Sequence, residues 1–264
     1  MLRTHIKGKV KAFSFYVIIN QGGVKMNTFY FNKRNSFRDM DLGIVGTVEF
    51  PFITEVIENV EVENRSQGSL TIKTGHYNDV KISINLRMFN LTNYKKKIYE
   101  INKYFTNIID NRLYFEDYPQ KCYKVKNVIL NGLEKANKFF GTFSATFVCE
   151  PFMYLTKESS VIITNNSRIS NIGDLEAEPT IKLTLPSNNQ NISIMINESE
   201  LQFREVSSYI EINTLKMIAI DNRGLSVTSK MIGNFPVLKQ GKNTIQWTGT
   251  INKFELLKNT RFKG

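Results

Sequence analysis

The chain has 264 residues, 41% hydrophobic and 22% charged, which is enough apolar content for real cores and a charge level that excludes global disorder. Its length accommodates one large β domain or two smaller ones, and no run of about 18 apolar residues marks a membrane-crossing helix. The formal charge of +11 invites a nucleic-acid partner, but residues 1–25 hold Arg3, Lys7, Lys9, Lys11 and Lys25 with no acid, and without them the excess is +6, ordinary for a protein surface.

Residues 1–25 read as a translated leader. Their apolar stretch, Ala12 to Ile19, is short for a signal peptide, and Asn20-Gln21-Gly22-Gly23 is a poor cleavage site. Gln21-Gly22-Gly23-Val24-Lys25-Met26 can instead be encoded by a purine-rich ribosome-binding sequence just ahead of an ATG, so Met26 is the expected start.

From Met26 the text becomes regular. Phe29 to Phe31 open a strand, and Ile44 to Phe50 form an extended run closed by Pro51. Val56, Val60 and Val62 belong to another strand, followed by a turn at Gln67-Gly68. Val80, Ile82, Ile84 and Leu86 alternate with Lys81, Ser83 and Asn85, a half-buried strand. The period then changes. Leu91, Tyr94, Ile98, Ile101, Phe105 and Ile108 fall three and four apart, predicting an amphipathic helix of about 18 residues, capped by Thr92 or Asn93 and ended by Asp110-Asn111. Lys95-Lys96-Lys97 lie on its solvated face, without a nucleic-acid-reading motif. Leu113 to Phe115 and Tyr123 to Asn127 resume extended structure around Pro119. Gly141 to Cys149 alternates as a last strand of this unit, and Glu150-Pro151 is expected to end it, because proline donates no ladder hydrogen bond.

Beyond Pro151 the pattern is all β. Val161 to Ile163, Ile181 to Leu185, Ile192 to Ile196, Tyr209 to Ile212, Met217 to Ile220, Asn243 to Trp247 and Phe254 to Leu257 are short strands at regular spacing, which argues for a β-sandwich. Asp221-Asn222-Arg223-Gly224 makes a hairpin-type turn. The fold class is therefore mainly β: an N-terminal α+β domain over 26–151, then a β-sandwich over 152–264.

Little chemistry is visible. His5 and His76 are the only histidines, too few for a triad or an ordinary zinc site. His76 with Asp79 is the one conceivable base and orienter, and reads more simply as a loop pair before a strand. Glu116-Asp117 and Glu61 with Glu63 read as solvated charge. Trp247 is either a sugar-stacking platform or, more commonly, a core residue. Cys122 and Cys149 have neither disulfide-framework nor metal-ligand spacing and read as free thiols. No catalytic, cofactor-binding or metal residue is assigned, and no enzyme activity or cofactor is expected.

The order of several segments resembles one family. They are FYFN at Phe29, DLGI at Asp41, Pro51, NRSQGSL at Asn64, the helix followed by LYFEDYP at Leu113, and GTFSATFVCEPFMY from Gly141 to Tyr154. In the second half they are Asn171-Ile172-Gly173, Glu178-Pro179-Thr180-Ile181, IAID at Ile218 and GNFPVLKQGKNTIQWTG from Gly233 to Gly249. Over nearly all of 26–264 this resembles the distal tail proteins of long-tailed phages. The resemblance implies an N-terminal domain closing into a homo-hexameric ring and a galectin-like C-terminal domain facing outward. It implies a virion tail-tip location after assembly in the bacterial host cytoplasm. The implied partners are the tail tube protein, the tape measure protein, and a tail-associated lysin or a tail fibre or receptor-binding protein. DNA would pass through the lumen without specific binding, and no membrane is involved. Residues 151–264 contain no histidine, so the sugar-binding histidine and arginine cluster of galectins has no counterpart. The competing readings are a carbohydrate-binding module of a cell-wall or receptor-binding protein and, more remotely, a hydrolase using His76 and Asp79.

Overall fold

The computed structural model describes residues 28–89, 91, 93–134 and 140–264. The leader, Met26 and the proposed cap Thr92 lie outside them. The strands in chain order are β1 (Phe29–Phe31), β2 (Arg34–Asn35), β3 (Leu42–Ile44), β4 (Glu55–Val60), β5 (Leu70–Tyr77), β6 (Val80–Phe89), β7 (Arg112–Phe115), β8 (Lys121–Glu134) and β9 (Phe140–Leu155). After them come β10 (Val161–Ile163), β11 (Ser167–Asn171), β12 (Thr180–Thr184), β13 (Gln190–Ile196), β14 (Ser199–Val206), β15 (Tyr209–Asn213) and β16 (Ile218–Ile220). The last are β17 (Met231–Gly233), β18 (Gly241–Thr248), β19 (Lys253–Leu257) and β20 (Arg261–Phe262). The helix α1 spans Tyr94–Thr106, between β6 and β7. The protein is mainly β, as its alternating text requires.

The first sheet runs β2-β1-β7-β8-β9-β6-β3, with β20 also pairing β9. Its centre is the β6–β9 ladder. Val80, Ile82, Ile84 and Leu86 stand opposite Cys149, Phe147, Ala145 and Phe143, and all eight are buried. Because side chains alternate across a strand, the intervening residues share the other face. There Ser83 and Thr146 hydroxyls meet at 3.0 Å. α1 covers the apolar face through Ile101, Tyr104 and Phe105. Phe105 packs beside Phe31, Phe143 and Phe147.

Two expectations are corrected here. The helix is 13 residues long, ending at a C-cap on Asn107 rather than at Asp110-Asn111, and Asn93 makes no side-chain cap. Leu91 and Ile108 are on the apolar period but pack from the flanking chain. The last strand does not stop at Pro151: β9 runs 16 residues, through Leu155. On one side β6 leaves β9 at Cys149 and β20 joins at Met153; on the other the β8 register skips from Cys149 to Met153. The missing proline N–H thus falls where neither neighbour needs it. Buried positions also shift there, from odd to even numbers. Phe152 and Tyr154 join Cys122 in a small separate cluster that includes Leu175. The extended run proposed from Ile44 to Phe50 is likewise shorter: the strand is Leu42–Ile44, and the Val45 N–H adds one more bond to the Asn85 carbonyl.

The second core lies between two five-stranded antiparallel sheets, β10-β19-β12-β15-β16 and β11-β18-β13-β14-β17. Ile181, Leu183, Ile210, Ile212, Phe254 and Leu256 from the first meet Ile192, Ile194, Ile196, Leu201, Phe203 and Ile245 from the second in one cluster. This is a β-sandwich. The chain then returns to the first sheet. The Thr260 hydroxyl donates to Glu158 at 2.5 Å and Arg261 pairs with Glu178 at 2.9 Å. Gly173 lets this segment pass closely, since a Cβ there would sit 2.4 Å from the Arg261 carbonyl oxygen.

Candidate assembly surfaces

The residues that sequence singled out for chemistry do not converge. His76 is exposed on β5, while the Asp79 carboxylate accepts from Lys126 at 2.6 Å instead. Glu116 accepts from the Thr28 hydroxyl at 2.6 Å. Among the described residues no group of three or more His, Cys, Asp or Glu side chains is placed to hold a metal ion. Trp247 stacks on Phe254 at 5.1 Å against the second core, which takes one of its faces away from any sugar. Cys122 and Cys149 are buried and free. Burial pushes the Cys122 thiol up to about 11 and the Cys149 thiol up to about 12, so both are poor nucleophiles at neutral pH.

Three surfaces stand out instead. The first is a hairpin arm, β4 with β5, which pairs with no other strand among the described residues. Its base is anchored: Phe50 packs edge-on to Phe115 at 5.1 Å, and Tyr77 to Phe152 at 5.0 Å. A bulge between Glu55 and Ile57 is spanned by the Thr74 hydroxyl donating to the Val56 carbonyl at 2.7 Å. Past the base, Ile57, Val60, Val62, Leu70 and Ile72 are exposed, and Phe52 is 91% exposed. Each such half-exposed side chain leaves roughly 1 kcal/mol of burial unrealised. Exposed apolar residues clustered on one element mark an interaction surface.

The second is a groove of about 520 Å³ beside α1, lined by Arg34, Lys96, Lys103, Tyr99, Ile109 and Tyr104 among others. Tyr99 is 67% and Ile109 76% exposed. The Tyr104 hydroxyl is buried with no hydrogen-bond partner among the described residues, and burial raises its pKa far above the usual phenol value. Among the described residues the Arg34 guanidinium hydrogen-bonds only the Met40 sulfur, at 3.5 Å.

The third is the outer face of the first sheet. Lys81, Ser83, Asn85 and Arg87 on β6 stand opposite Val148, Thr146, Ser144 and Thr142 on β9. Asn127, Ile129 and Asn131 on β8 stand opposite Val148, Thr146 and Ser144. Hydroxyls and amides dominate this face, with two cations dispersed on it.

The described chain is thus a sheet with one flanking helix and a projecting arm, continued by a β-sandwich. Its fold is similar to that of SPP1 Dit: it superposes on that crystal structure with a TM-score of 0.63 at 12% identity, covering 88% of this chain and 98% of that one. SPP1 Dit is described as a paradigm of the hub adsorption apparatus in phages infecting Gram-positive bacteria. A looser overlap, TM-score 0.44 at 11% identity, covers 89% of this chain and 97% of a chain in the activated baseplate of phage p2. No family model and no curated protein matches the chain by sequence.

Proposed function

We propose that this protein is a structural distal tail hub of a long-tailed phage or phage-tail-like particle, a hexameric ring joining the tail tube to the adsorption apparatus. Residues 26–151 form the ring, and the galectin-like unit of 152–264 faces outward. The observation that carries the reading is the fold shared with SPP1 Dit over 88% of the chain. The exposed arm supports it, because a ring needs a surface on each copy that the single chain leaves uncovered. The outer sheet face supports it as well. A lumen lined by Ser, Thr and Asn lets DNA slide past, whereas a dense basic band would hold it by counterion release. The tail tube protein, the tape measure protein, and a lysin, fibre or receptor-binding protein are the partners of such a hub. Neither a catalytic activity nor a cofactor is needed. Native mass measurement of the full chain tests this: a hexamer is expected, and a monomer at every concentration overturns the ring.

A further inference from the structure

The groove beside α1 holds more cationic groups than its own chain pairs, above a buried hydroxyl that has no acceptor. We propose that it is a binding site for an acidic peptide segment of a tail protein other than this one. Two spaced carboxylates of that segment meet Arg34, Lys96 and Lys103, and an apolar side chain between them covers Tyr99 and Ile109. The inference rests on the hub reading for the identity of the partner as a tail protein, while the chemistry of the site stands on the groove alone.

The helix sets the pattern. Lys96, Tyr99, Glu100 and Lys103 fall at the three- and four-residue steps that share one face of α1, and all four are exposed. The Lys103 ammonium has no ion-pair or hydrogen-bond partner among the described residues, and Lys96 has only a 3.9 Å pairing with Glu100. The Arg34 guanidinium bonds the Met40 sulfur, a weak acceptor that a carboxylate displaces. Lys97 is already held by Asp41 at 2.7 Å. Tyr104 lies deeper. Its side chain is 3% exposed, and the charges that act on its unpartnered hydroxyl are those of Arg34 and Asp39, both in the groove wall. An unpaired buried hydroxyl is a net cost to the folded chain, which a ligand carboxylate relieves directly or through one water.

Spacing and charge select the ligand. Lys96 and Lys103 are seven residues apart on the helix, roughly 10 Å, a span that two carboxylates three residues apart on an extended peptide also cover. Asp39 and Glu100 interrupt the positive charge of the walls, which disfavours the continuously anionic backbone of a nucleic acid. The volume of about 520 Å³ is in the range of small-ligand sites, so it takes a short segment rather than a folded domain. α1 covers the apolar face of the first sheet, the opposite face from Ser83 and Asn85. With that polar face turned to the lumen, the groove opens away from the DNA path and toward other tail proteins.

Fluorescence anisotropy with the full-length protein tests the site. The probe is a fluorescein-labelled peptide carrying Glu-Leu-Phe-Glu, and the controls are its Gln-Leu-Phe-Gln counterpart and labelled oligothymidylate. The glutamate peptide is expected to bind, with both controls at least about tenfold weaker. Lys96→Glu with Lys103→Glu is expected to abolish binding at an unchanged melting temperature, since both side chains are exposed. Tyr104→Phe is expected to weaken binding about fivefold, while its melting temperature stays level or rises because the unpaired hydroxyl is gone; a merely structural tyrosine would not separate the two readouts. No binding at about 1 mM peptide, equal binding of the glutamine peptide, tighter binding of oligothymidylate, full binding by the charge-reversed variant, or unchanged binding by Tyr104→Phe overturns the site as described. A hexamer that ignores the peptide loses the site and keeps the ring, whereas a monomer that binds it keeps the site and loses the ring.

Discussion

Replacing Phe105 by alanine tests how the first unit is held together. Phe105 is fully buried, with its ring 5.8 Å from Phe147 and 6.2 Å from both Phe31 and Phe143. A 13-residue helix is marginal in isolation, and α1 has only Ile101, Tyr104 and Phe105 buried. Truncating a core phenylalanine costs about 3–5 kcal/mol. The upper half of that range is expected here, because three neighbouring rings belong to strands and cannot collapse into the space. At roughly 3–6 °C per kcal/mol for a unit of this size, the first unit's melting midpoint falls by about 12–30 °C. Phe203 occupies the equivalent place in the second core, which shares no residue with the first, so Phe203→Ala acts on that core instead. Hydrogen exchange read by mass spectrometry separates the two. Phe105→Ala is expected to release amides of α1 and of β6 to β9, and to leave β12, β15 and β19 protected. A loss below about 1 kcal/mol, or equal deprotection of both cores, would refute this account of the packing.

The other predictions concern the strand crossing, the C-terminal segment and the thiols. Pro151→Ala is expected to be nearly neutral in a denaturant melt, whereas Val148→Pro, in a position paired with both Lys81 and Asn127, should abolish soluble folding. Gly173→Ala should push the returning chain off its seat, since the new Cβ would meet the Arg261 carbonyl oxygen; faster limited proteolysis near residues 258–264, with the second core still protected, is the expected result. Unfolded thiols ionise near 9.0, while the buried ones hold their protons to about 11 and about 12. Their folded pKa values are raised, so this contribution to stability is complete below pH 9 and is lost as pH rises through that window. A Cys122→Ala, Cys149→Ala variant should show a shallower fall in stability between pH 9 and 11. Thiol titration of the unfolded wild type should find two free thiols.

The ladder of β6 with β9 was legible because one of its faces is buried, which forces strict alternation. The proline rule failed locally because it concerns one N–H, and the partners that would need that N–H leave and rejoin around Pro151. The helix was overextended because Leu91 and Ile108 keep its apolar period while packing from outside it. Ser199–Val206 escaped notice: Glu200, Gln202 and Arg204 give it a polar face, and the positive φ of Glu205 breaks its alternation before Val206. The arm was read as a strand from Val56, Val60 and Val62, but alternation does not reveal whether an apolar face is covered. Its exposure, and the groove built from β2, α1 and the segment after it, depend on residues far apart in sequence. The solvated face of α1 was legible from Lys95-Lys96-Lys97, of which Lys95 and Lys96 are exposed in the folded chain.

Electron microscopy of the purified full-length protein tests the hub assignment most directly. Class averages should show a six-fold ring with an open centre, with the β-sandwich units projecting outside it and the Ser- and Asn-rich sheet face turned inward. Isolated two-lobed particles at every concentration, or a ring whose inner wall is made by the second unit, would contradict it.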